Sequence, residues 1–67
     1  MIDVGNYWGI ENEIRITCID GQQIVGKIDN IDDEEESGFG EVGISMTTRD
    51  GRFVGVRQSE IENIEVL

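Results

Sequence analysis

Between residues 13 and 19 apolar and polar side chains alternate. Ile14, Ile16 and Cys18 fall on one face, and Glu13, Arg15 and Thr17 on the other. This period of two, rich in β-branched residues, predicts a strand. Asp20-Gly21 then gives a tight-turn signal. A second strand is predicted over 22–31, with Ile24, Gly26 and Ile28 in phase and Ile31 out of phase. The phase slip predicts a bulge or sharp bend between 28 and 31. Gly26 inside the strand marks a place where the sheet curls. Residues 39–49 predict a third strand, with Val42, Ile44 and Met46 on one face. Asp50-Gly51 is a second hairpin signal, 52–57 a fourth strand, 58–60 a short turn and 61–66 a fifth strand. Phe39 and Phe53 fall out of phase with the apolar faces of their strands.

The leading segment 1–11 differs from the rest. It holds two glycines together with Tyr7 and Trp8. It has room for a short helical turn at 5–10, and glycine weakens anything longer. Trp8 is expected to pack as a lid on the end of the fold or against a neighbouring subunit. Short strands, tight turns and glycines at bends together predict an all-β fold, a small five-stranded and strongly bent antiparallel barrel. At 67 residues the chain reads as one domain, with 1–11 as lead-in and 12–67 as the barrel.

Charge alters the picture next. Five basic residues (Arg15, Lys27, Arg49, Arg52 and Arg57) stand against fifteen acidic ones, a net charge of −10. Such a field repels phosphate and argues against a broad basic nucleic-acid face. Six of the acids (Asp29, Asp32, Asp33, Glu34, Glu35 and Glu36) lie within residues 29–38. That run reads as a solvated loop, with 32–38 its variable part. It lacks the alternating ligands and central glycine of a calcium loop. With no histidine and only Cys18, the common zinc sites are excluded and no metal or cofactor is expected. Cys18 reads as core, and nothing beside it would activate a nucleophile. The chain is therefore expected to be non-catalytic. No apolar run approaches a membrane span and no leader pattern opens the chain. The lone cysteine fits a reducing, cytoplasmic setting.

The stretch Cys18-Ile19-Asp20-Gly21-Gln22-Gln23-Ile24-Val25-Gly26-Lys27-Ile28-Asp29-Asn30-Ile31-Asp32 resembles the first motif of the Sm-like (LSm) family. Val56-Arg57-Gln58-Ser59-Glu60-Ile61 resembles the second. The order of the motifs and the acidic loop between them are also similar, so the resemblance covers about residues 12–67. It implies an Sm-like barrel, an RNA site near Asp32 and Arg57, and assembly into rings. Asn30 and Lys27 are further candidates for the RNA site. Ring assembly in the family pairs the fourth strand of one subunit with the fifth of the next. That implies an oligomer edge of Val54 and Val56 against Ile61, Ile64 and Val66. Two departures stand out. The family's base-reading Asn, four positions after the motif Asp, is Glu36 here, and its Gly after the Arg is Gln58. A glutamate offers an acceptor where a donor is wanted. Residue by residue, Asp32 and Arg57 also read as an ion pair tying the two motif loops together, with no ligand required.

Two functions follow as expectations. One is a non-catalytic, ring-forming module associated with RNA. The other is an acidic protein-binding module, a use some bacterial Sm-like proteins make of this fold, with Asp33, Glu34, Glu35 and Glu36 as docking loop and a basic protein as partner. A purely structural subunit of a larger assembly is the third class.

Overall fold

The computed structural model describes residues 2–38 and 40–67. Five strands form: β1 (Ile14–Cys18), β2 (Gln23–Asp32), β3 (Gly43–Thr48), β4 (Phe53–Arg57) and β5 (Ile61–Val66). All pairings are antiparallel, in one sheet of order β4-β3-β2-β1-β5. Short 3-10 turns occupy Val4–Tyr7 and Gln58–Glu60. The edge strands β4 and β5 lie at opposite ends of the strand order, yet Val56 of one and Ile61 and Ile64 of the other are buried in the same core. The sheet therefore curls to bring its two edges onto one core, within a chain whose extents are 27 × 22 × 21 Å.

The predicted turns and bends explain the curl. Gly21 and Gly51 close the two Asp-Gly hairpins with φ of 89° and 86°, a region glycine enters without steric cost. The β2–β3 register shifts between Ile28 and Asn30, which puts the expected bulge at Asp29. At Gly26 a Cβ would lie 2.1 Å from the Thr47 carbonyl oxygen. Only a residue without a side chain lets the two strands cross so closely.

Period-two alternation builds the core in β1 and β3, while β5 buries Ile61 and Ile64 three positions apart, which the β1–β5 register shift between Thr17 and Cys18 accommodates. Ile14, Ile16 and Cys18 of β1, Ile44 and Met46 of β3, Val56 of β4, and Ile61 and Ile64 of β5 are buried together. Cross-strand rows assemble this face: Ile16 pairs with Ile24 and Ile64, Ile44 with Ile31 and Val56, and Met46 with Ile28 and Val54. Each fully buried aliphatic side chain contributes about 1.5–3 kcal/mol of transfer free energy. Burial also pushes the Cys18 thiol above its ordinary pKa, with Asp20 and Glu60 adding to the effect, so a core role suits it better than reactivity.

Three expectations are corrected. The third strand begins at Gly43, not at 39. β2 ends at Asp32, the partner of Gly43, and beyond it the chain turns, so residues 40–42 have no strand to pair with. The out-of-phase reading of Phe39 falls outside the described residues. The N-terminal turn sits at Val4–Tyr7, earlier than 5–10, capped by Asp3, whose carboxylate accepts the Gly5 N–H at 3.0 Å. Finally, Trp8 is not a lid. It is 66% exposed, and Val4 fills the core in its place. Gln58 fixes this segment by accepting the Val4 N–H at 3.2 Å.

Candidate binding surface

The outward face of β2, β3 and β4 carries most of the candidate residues. Asp32 and Arg57 both pair with Gly43, from opposite sides. They therefore share one row of the sheet, two strand spacings or roughly 10 Å apart, with a buried glycine between them. The Asp32 carboxylate accepts from Asn30 Nδ2 at 2.5 Å and from Ser45 Oγ at 2.6 Å. Arg57 Nε lies 3.7 Å from Glu60 Oε1, on the turn that follows β4. An Asp32–Arg57 pair is not among the ion pairs of the described residues, and neighbours on the same outward face take up Asp32 instead. The structure thus brings Asn30 and Asp32 together and sets Arg57 across the row. Lys27 lies apart, beyond the bulge, in a row with Thr47 and Phe53.

The acidic segment is a built turn. The Asp33 side chain accepts the N–H groups of Glu35 and Glu36 at 3.0 and 2.8 Å. The Ser37 N–H bonds the Asp33 carbonyl at 3.1 Å, and Ser37 Oγ bonds the Glu41 carbonyl at 2.6 Å. Asp33 is therefore a turn cap, while Glu34, Glu35 and Glu36 are exposed. At the base of this segment the Glu41 carboxylate accepts the Ser59 N–H at 2.8 Å. That bond holds its pKa below the usual carboxylate range.

The two edges of the sheet are β4 and β5. Val56, Ile61 and Ile64 point into the chain's own core, Val54 is half-buried and Val66 is exposed. Any edge contact at the buried positions runs through the backbone. The side chains offered outward are different ones. Phe53, at the start of β4, is 84% exposed, and Val66 and Leu67 end the chain on the other edge. Arg52 and Arg57 bracket β4, whereas exposed Glu62 and Glu65 lie along β5.

Three contributors escape sequence reasoning. Gly43 and Ser45 belong to the Asp32 row only through the β2–β3 register, and Gln58 ties the N-terminal turn to the end of β4 across 54 residues. Alternation around Ile44 and Met46 does place Ser45 outward, but nothing local pairs it with Asp32. Among the described residues no helix is long and apolar enough to cross a membrane. Comparison with family models, curated proteins and solved structures finds no match to this chain.

Proposed function

We propose that the chain is a non-catalytic binding module of the Sm-like type, closing as a small barrel, which assembles with copies of itself and engages a basic protein partner in the cytoplasm. The observation that carries the assembly is the strand order, which leaves β4 and β5 as the two edges. Arg52 and Arg57 bracket one edge and Glu62 and Glu65 line the other. Arg52, Arg57 and Glu65 already pair within the chain, with Asp50, Glu60 and Arg15, so contact between copies rests on the open backbone of the two edges and not on these charges. The partner follows from charge. A net −10 and a turn that presents Glu34, Glu35 and Glu36 attract a basic surface and repel phosphate.

RNA is the second reading, favoured by the Asp32–Gly43–Arg57 row, where a base could lie on the small residue between an acid and a guanidinium. Titration of labelled oligo-U and oligo-A at about 50 and 200 mM salt separates the two readings. The protein reading expects no binding to either RNA at the lower salt. Micromolar binding that Arg57→Ala removes, with folding unchanged, would move the function to RNA.

A further inference from the structure

An open groove of about 610 Å³ runs between the N-terminal segment and the bulge of β2. Trp8, Glu11, Lys27 and Asp29 line it, and half-buried Ile10 and Ile28 reach it from the core side. The indole is 66% exposed, yet the backbone beneath it is fixed. The Trp8 N–H bonds the Gly5 carbonyl at 3.3 Å and the Ile10 N–H bonds the Tyr7 carbonyl at 3.4 Å. Gly9, at φ 79°, turns the chain between them. Asp29, at the bulge, lines the groove too, its carboxylate accepting from Thr47 Oγ1 of β3 at 2.6 Å. Glu11 is exposed. Two carboxylates and one ammonium, Lys27, therefore line the same groove as the exposed indole.

We propose that this groove takes an arginine side chain of a basic protein partner, its guanidinium against the Trp8 indole and its charge met by Glu11 and Asp29. The inference rests on the protein-docking reading above and gives it a specific contact. Tryptophan is the best cation–π acceptor among the side chains, and a planar guanidinium stacks on it. The groove's own carboxylates and the net −10 favour a cation and oppose a nucleotide, whose phosphates would be brought beside Glu11 and Asp29. The apolar floor suits the methylene stem that carries the guanidinium.

Trp8 is the only tryptophan of the chain, so its emission reports occupancy directly. The probe is a short Arg-Gly repeat peptide, with a citrulline-Gly peptide of the same length as control. The arginine peptide is expected to change Trp8 emission saturably, and the citrulline peptide is not. With labelled peptide read by anisotropy, Trp8→Ala should weaken binding about tenfold, Trp8→Phe less, and Glu11→Gln a few-fold. Replacing Glu34, Glu35 and Glu36 together by Gln should reduce affinity while the emission change at saturation persists. If the loop triple variant loses binding and Trp8→Ala does not, the docking reading stands and the groove does not. If wild type ignores the arginine peptide, both fall. If oligo-U or oligo-A changes the emission and the peptide does not, the occupant is a nucleic acid and the proposal is overturned.

Discussion

The inward and outward faces of β2, β3 and β4 share one backbone and differ in everything else. Inward, Ile31–Ile44–Val56 and Ile28–Met46–Val54 are continuous apolar rows. Outward, the matching rows are Asp32–Gly43–Arg57, Asn30–Ser45–Gly55 and Lys27–Thr47–Phe53. They interrupt charge with glycine and leave Phe53 in water. Burial explains each inward residue without a partner. The outward face has no such explanation for Phe53, and its polar groups are held by neighbours on the same surface. Stability is therefore written on the inward face, and the outward face is left polar and open to solvent.

The largest effect should come from forcing a side chain into the inward face at the crossing of β2 and β3. Gly26→Ala would place a Cβ 2.1 Å from a backbone oxygen, which no rotamer change relieves. A loss of about 3 kcal/mol or more is expected, by the overpacking mechanism. Urea unfolding should show a much lower midpoint or no folded baseline. A midpoint near wild type would mean that β2 and β3 separate more readily than their register implies.

Next comes the outward face. Phe53→Asp removes an 84% exposed ring and should change folding stability by no more than about 0.5 kcal/mol. If Phe53 belongs to the contact between copies, the same change should lower the solution mass to that of one chain, 7.5 kDa. Analytical ultracentrifugation at about 50 and 300 mM salt tests this. Wild type should be heavier at the higher salt, because each added copy brings a net −10, and the variant should be light at both. A wild type that is a single chain at both salts would remove assembly from the proposal.

The same division governs what the sequence reveals. Inward positions announce themselves, because burial selects apolar residues at every second place. Ile14, Ile16, Cys18, Ile44 and Met46 were all legible from alternation alone. The phase slip at Ile31 similarly exposed the bulge at Asp29, and Asp-Gly exposed both hairpins. Where β3 begins was not legible. Val42 continues the alternation into Ile44, but pairing stops where β2 stops, at Asp32, and strand length is a property of two segments. Trp8 misled for a related reason. A large aromatic beside a small core suggests a lid, yet Val4 reaches that core first. Outward residues obey no such selection. The satisfaction of Asp32 by Ser45, 13 residues away, depends on register, so an Asp32–Arg57 tie looked equally sound from sequence. Arg57 and Lys27 could be named as candidates, but that Lys27 lines a groove with Trp8 and lies outside the row of Arg57 depends on the bulge and the N-terminal turn.

The smallest effect concerns an ion pair between Glu13, just before β1, and the β3–β4 turn. Arg49 Nε and Nη2 donate to Glu13 at 2.9 and 2.5 Å. This hydrogen-bonded pairing holds the Glu13 carboxyl below its usual range and raises Arg49. A depressed carboxylate pKa means that the folded state binds its proton less readily than the unfolded state. Its contribution is therefore present above the ordinary carboxylate range and disappears as pH falls through and below it. Asp50, lowered by the Thr48 hydroxyl and Arg52, and Glu41, lowered by Ser59, act in the same direction. The pair is exposed, so its share is small. Urea midpoints for wild type and Glu13→Gln should differ slightly at about pH 7, and the gap should close at about pH 3, where the wild-type carboxyl is also neutral. A gap of equal size at both values would show that Glu13 acts by packing and not through its charge.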